Sequence, residues 1–214
     1  LKEKVLRWSE KERDLDLSSS MDVLISNGAK QVISTIICSL INPGDEVVII
    51  APYWVSYPPM IKLCGGVVKV VETDFYEHFS PNMDAIRNSL SSSTKAIIIN
   101  SPNNPVGHIY DDNWMMEFSK LMEDFPNVTI ISDEIYRELN YYDPSPKYFY
   151  QFSKNLLDRT LIIGGISKVM ASTGLRIGWC IGPKEFVSSM SKLQGHISSG
   201  ASSLIQQALL NYDF

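Results

Sequence analysis

Hydrophobic positions along the chain fall into short unbroken runs separated by longer stretches of helical period. Six runs are rich in β-branched residues: "EVVII" (46–50), "GVVKVV" (66–71), "KAIIIN" (95–100), "NVTIIS" (127–132), "TLIIGG" (160–165) and "GWCIG" (178–182). Most are apolar at consecutive rather than alternate positions, the pattern of strands covered on both faces. Between them, Val32, Ile33, Ile36, Ile37 and Leu40 line one face of a predicted helix over 29–41, which stops at the turn signal "NPGD". Trp114, Phe118, Leu121, Met122 and Phe125 form a similar stripe over 112–125, closed by Pro126. Such a stripe is a core face, not a cofactor box. Ala85, Ile86 and Leu90 mark a shorter helix, 186–193 and 204–210 mark two more, and 1–13 is a charged amphipathic helix.

Strands alternating with helices predict βαβ crossovers, hence an α/β fold: a three-layer αβα sandwich around a mostly parallel sheet. The most loop-like links, "SSST" (91–94) and "DPSP" (143–146), are too short and too unbiased to join domains. Residues 21–214 therefore read as one unit, preceded by an N-terminal helix and lead-in over 1–20.

Composition narrows the function classes. The 214 residues are 44% hydrophobic and 20% charged, with a formal net charge of −5 and no Lys/Arg run, so nucleic acid is not an expected partner. Cys38, Cys64 and Cys180 lie far apart in sequence, each in an apolar stretch, with neither a CxxC nor a zinc-ligand spacing; buried, reduced thiols in a cytoplasm-like compartment are expected, an organelle remaining open. His78, His108 and His196 are scattered and no HExxH occurs, so metal catalysis drops out on residue supply. No apolar run has the length of a membrane span. The chain opens without methionine and closes on "QQALLNYDF", a helical pattern with no stop signal, so both ends are expected to be cut from something longer.

In open parallel sheets the ligand crevice lies beyond the carboxyl ends of the strands. Four of the apolar runs lead directly into "APYW", "SPNNPVG", "DEIY" and "ISK", so Trp54, Asn104, Asp133 with Tyr136, and Lys168 should gather on one edge. The turn "SNGAKQ" (26–31) opens a helix with a glycine at its start, where free N–H groups favour a phosphate, and Arg176 could add a bidentate contact. Neither GxxxxGK[ST] nor GxGxxG is present, which disfavours nucleotides.

Together "SNGAKQ", "PYWVSYP", "NSPNNPVG", "SDEIY" and "SKVMASTGLRIGW" resemble, in order and spacing, the motifs of class I aminotransferases, pyridoxal-phosphate enzymes of fold type I; "PYWVSYP" is similar to the aspartate or prephenate aminotransferase branch. The resemblance runs from about Asp22 to Ala208. It implies that Lys168 is the Schiff-base lysine and proton carrier, that Asp133 keeps the cofactor's pyridine nitrogen protonated, and that Tyr136 and Asn104 hydrogen-bond its phenolic oxygen. It further implies that Trp54 stacks on the ring and that Gly28, Ala29, Lys30, Ser167 and Arg176 form the phosphate cup. The expected activity is transfer of an amino group between an aspartate-like L-amino acid and a 2-oxo acid by a ping-pong route, in a homodimer. A lyase or synthase on the same fold, or a non-catalytic cofactor-binding domain, are the alternatives. Cis peptides before Pro52 and Pro105 are also implied. Gly165 departs from the family pattern where many relatives have a second phosphate-binding serine, as does Val106 where threonine is usual. No residue matches the family's arginine for the substrate α-carboxylate. The C-terminal small domain and the N-terminal arm are therefore expected to be absent from this chain, and inactivity of the 214-residue piece on its own stays an open alternative.

Overall fold

Seven strands carry the architecture: β1 (Met21–Ser26), β2 (Glu46–Ile50), β3 (Val67–Val71), β4 (Thr94–Asn100), β5 (Thr129–Asp133), β6 (Thr160–Gly165) and β7 (Gly178–Pro183). The computed structural model describes residues 1–212; Asp213 and Phe214, the end of the "QQALLNYDF" stretch and of the predicted 21–214 unit, lie outside the described residues. Helices α1 (Lys2–Arg13), α2 (Ala29–Leu40), α3 (Tyr57–Leu63), α4 (Met83–Ser89), α5 (Asp112–Glu123), α6 (Phe149–Phe152), α7 (Ile166–Val169), α8 (Lys184–Ile197) and α9 (Ser203–Leu210) connect or flank them.

The sheet order is β1-β7-β6-β5-β4-β2-β3. β7 is antiparallel to both neighbours and opposes the other six strands, which run one way. Consecutive apolar positions in the strands alternate between two cores, because successive side chains of a strand point to opposite faces. Val48, Ile97, Ile99 and Ile130 join α1, α5 and α6 through Val5, Phe118 and Phe149. Val47, Ile49, Ile98 and Ile131 join α2, α3 and α8 through Ile36, Ile61 and Met190. The stripe on α2 is buried as its period predicts, and each of those aliphatic side chains contributes roughly 1.5–3 kcal/mol of transfer free energy.

Three elements differ from the sequence expectation. β1 is a strand although "MDVLIS" is not among the predicted runs; its pairing with β7 along the whole length supplies what the interrupted pattern lacks. β3 is not covered on both faces. Among the described residues it pairs only with β2, and of its five residues only Val71 is buried, with Val67 44% and Val70 37% exposed. α3 forms despite Pro58 and Pro59, because prolines in a first turn forgo N–H groups that have no intrahelical acceptor.

The expectation of buried thiols holds for Cys180 alone. Cys38 is exposed and Cys64 half-buried. Cys38 falls on the outer face of α2, and Cys64 comes directly after the last turn of α3. The peptides before Pro52 and Pro105 are cis, as are those before Pro102 and Pro144. No helix among the described residues is long and apolar enough to cross a membrane.

Candidate active site

The chain passes from β2 out to β3 and returns on the other side of β2 to β4, so the order of strands reverses there and a crevice opens at their carboxyl ends. The β4–β5 register sets Asn100 directly beside Asp133 at that edge. A cavity of about 180 Å³ lies over it, lined by Ala29, Lys30, Trp54, Asn104, Asp133, Tyr136, Ser167, Lys168 and Arg176. Nine of the ten sequence-predicted site residues thus meet around one space, contributed by separate stretches of chain, and the tenth, Gly28, is the residue that starts α2.

Asp133 is the buried pole of the site. Its Oδ2 accepts a hydrogen bond of 2.6 Å from the Tyr57 hydroxyl, and its Oδ1 accepts a longer one, 3.3 Å, from the Ile135 amide. Burial raises its pKa to about 6; the bonds from Tyr57 and Ile135 act the other way, and the nearby Glu134 charge adds to the rise. Burial also pushes the Tyr57 phenol well above its ordinary value, with the Asp133 charge as the next cause, so Tyr57 stays the donor. Among the described residues no ion pair reaches Asp133, which leaves a buried carboxylate suited to a cationic partner.

At the other wall, the amide of Asn104 donates to the Tyr136 hydroxyl at 3.3 Å, and Asn104 is held by its own N–H on Asn100 Oδ1 at 2.8 Å. Asn100 completes the frame by donating to the Asp133 carbonyl at 2.9 Å. Lys168, on the short helix α7 directly after β6, sets Nζ 5.4 Å from the Tyr136 ring centroid. Trp54 meets Tyr57 edge to face at 5.4 Å, and Lys30 Nζ lies 5.1 Å from the Trp54 ring centroid.

The third region gathers groups that can bind an anion. The first amides of α2 receive no side-chain cap, and its N-cap Gly28 has φ 83°, a conformation that L side chains rarely adopt. A Cβ at Gly28 would overlap the Arg176 guanidinium, so the glycine lets that cation close over the helix start. Arg176 is held there by the carbonyls of Thr173 at 2.8 Å and Asn27 at 3.1 Å. Gly178 is required just behind, since a Cβ there would overlap the Ala29 amide nitrogen. Ser167 Oγ is buried and has no hydrogen-bond partner. Gly165, by contrast, has Ile177, Gly178 and Ile135 within about 3.1 Å of where a Cβ would sit, so a serine there would be crowded in this chain.

Tyr57 and Asn100 are site residues that the sequence reading misses. Asn100 carries a signal, a polar residue closing an otherwise apolar strand. Tyr57 carries little: its hydroxyl reaches Asp133 across 76 positions of sequence, a contact that only the approach of α3 to β5 creates.

Comparison with known proteins gives the same picture at the level of the chain. The sequence profile of the family "Aminotransferase class I and II" matches residues 1–212. The aspartate aminotransferase of Geobacillus stearothermophilus is 37% identical over 210 residues, covering 98% of this chain and 53% of that protein. A bifunctional aspartate aminotransferase and glutamate/aspartate-prephenate aminotransferase of Petunia hybrida is 37% identical over 186 residues, covering 87% of this chain and 39% of its own length. The crystal structure of the aspartate aminotransferase from Rhizobium meliloti superposes with a TM-score of 0.92 at 28% identity, over 99% of this chain and 53% of that one. The chain thus spans about half the length, or less, of the relatives it matches. The profile extends over every described residue and the fold superposes nearly end to end, so this chain belongs to the class I and II aminotransferases, a family dependent on pyridoxal phosphate.

Proposed function

We propose that this chain supplies the cofactor-binding part of an aminotransferase that moves an amino group between an aspartate-like L-amino acid and a 2-oxo acid. The observation that carries the reading is one cavity with three chemically distinct poles: the buried Asp133 carboxylate, the Lys168 amine, and the uncapped start of α2 beside the unpartnered Ser167 hydroxyl. Those poles fit pyridoxal 5′-phosphate, which has a basic ring nitrogen, an aldehyde and a phosphate. When bound, that cofactor supplies an electron sink for the pair left behind when a substrate Cα–H proton is removed.

In this reading the Asp133 carboxylate, once ionised, would hold the proton on the ring nitrogen. Asn104 and Tyr136 would hydrogen-bond the phenolic oxygen, and Trp54 would supply an aromatic wall for the ring. The amides of Ala29 and Lys30 at the start of α2, with Ser167 and Arg176, would hold the phosphate, Gly28 giving it room to approach while its own N–H bonds the Ser26 carbonyl at 2.8 Å. Lys168, at the cavity wall, would be the amine that anchors the aldehyde group and the base that moves the substrate Cα proton. Residues 21–214 would form the cofactor-binding unit and 1–20 its lead-in, within a cytoplasmic homodimer.

The test is to load the protein with pyridoxal phosphate, remove the excess, reduce with borohydride and locate the adduct by peptide mass. The expected result is a yellow protein whose adduct maps to Lys168 and is lost in Lys168→Ala. A folded protein that stays colourless, or an adduct on Lys30 alone, would sink the assignment.

A further inference from the structure

Outside the active site, the fold brings together two cysteines that sequence keeps 26 positions apart. The Cys64 thiol donates to Cys38 Sγ with the sulfurs 3.3 Å apart, one residue near the end of α2 and the other just after α3. Their meeting is fixed by the backbone. The turn after α2 and the turn after α3 are tied by Gly44 N–H to the Gly65 carbonyl at 3.0 Å and by Val67 N–H to the Asp45 carbonyl at 2.8 Å. Gly66 is pressed so closely against Ile41 and Ile61 that a Cβ there would stand 2.8 Å from a methyl of each. Two helix ends in a rigid double turn therefore hold the thiols face to face, one exposed and one half-buried.

We propose that Cys38 and Cys64 are a redox-active dithiol pair, a modification site that a small-molecule disulfide converts to an intramolecular disulfide clamping α2 to α3. A disulfide would close the 3.3 Å gap between the sulfurs to roughly 2.05 Å, a shortening of about 1.2 Å. Exposure and hydrogen bonding assign the roles. Cys38 is the exposed partner and accepts from the Cys64 S–H, whereas burial and then the bond to Cys38 push the Cys64 thiol up to about 11. Cys38 Sγ⁻ attacks one sulfur of an oxidised disulfide, RSSR, forming a mixed disulfide and expelling RS⁻. Cys64 then gives up its proton and attacks Cys38 Sγ, expelling the second RS⁻. The two protein thiols are oxidised, RSSR is reduced to two RSH, and the two protons released from the cysteines end on them. Cys180, buried in the sheet, stays out of the reaction.

The experiment incubates the purified protein with glutathione disulfide, alkylates remaining thiols and maps the digest without reduction. The expected product is a crosslinked peptide pair joining Cys38 and Cys64, about 2 Da lighter than the two reduced peptides because two hydrogens leave, with Cys180 alkylated only after denaturation. Oxidation should raise the melting temperature by roughly 5–10 °C, reversed by dithiothreitol and absent in Cys38→Ser and in Cys64→Ser. Stable glutathione on Cys38 with Cys64 free, or crosslinks only between two copies of the chain, would overturn the proposal. The wild-type map decides it even where a serine variant fails to fold.

Discussion

Removing the Tyr57 hydroxyl isolates the bond that opposes the burial-driven rise of the Asp133 pKa. Tyr57→Phe keeps the buried ring and deletes only the 2.6 Å bond to Asp133 Oδ2. The Asp133 pKa stands near 6 against an ordinary 3.8, so its share of stability, in the protein without cofactor, is fully present below about pH 3.8 and is lost as pH rises through about 6, a loss on the order of 3 kcal/mol. Above that pH the Tyr57 bond goes to a charged acceptor and is worth about 1.5–3 kcal/mol; below it the acceptor is neutral and the bond is worth about 0.5–1.5 kcal/mol. The variant should therefore lose about 1 kcal/mol more at pH 8 than at pH 5, and its Asp133 should titrate roughly 0.7 units higher, one unit being about 1.36 kcal/mol. Urea unfolding of both proteins at the two pH values reads this directly. An equal loss at both, or a larger one at pH 5, would refute the view that Tyr57 acts by holding the carboxylate ionised.

Two further outcomes are expected. Arg13 and Glu134 form a buried pair at 2.6 Å, closed by Tyr150, whose hydroxyl accepts from Arg13 Nε at 2.9 Å and donates to Glu134 at 2.7 Å. Arg13→Met should cost about 3–5 kcal/mol in urea unfolding because it leaves buried Glu134, still bonded by the Tyr150 and Ser132 hydroxyls, with its remaining cation Arg137 3.9 Å away, while the double variant Arg13→Met/Glu134→Leu should recover most of that loss. Gly178→Ala should displace the start of α2 through the overlap with the Ala29 nitrogen and weaken pyridoxal phosphate at least about tenfold by equilibrium titration, with a stability loss of about 1–3 kcal/mol.

Much of the site was legible because it is assembled from strand exits. In a parallel sheet every carboxyl end faces the same edge, so the polar residues after "EVVII", "KAIIIN", "NVTIIS" and "TLIIGG" had to converge wherever the strands were placed. Trp54, Asn104, Asp133, Tyr136 and Lys168 are found there for that reason. The turn that opens α2 was legible for a different one: an N-terminal glycine ahead of a strong helical stripe states both the conformation and the uncapped helix start.

The chain by itself thus determined local conformation, layer architecture and the identity of groups at the strand ends, since these depend on periodicity and on residues close in sequence. Tertiary structure alone decided the pairings between distant segments: β1 as a strand against β7, β3 at an exposed edge, Tyr57 on Asp133, Arg13 on Glu134, and Cys38 on Cys64. An apolar run does not say how many neighbours it will have, and a tyrosine or a cysteine does not say what its polar atom will meet. Those outcomes are fixed by the strand order and by which helix packs on which face, where side-chain geometry across tens of residues is set by the packing of the whole.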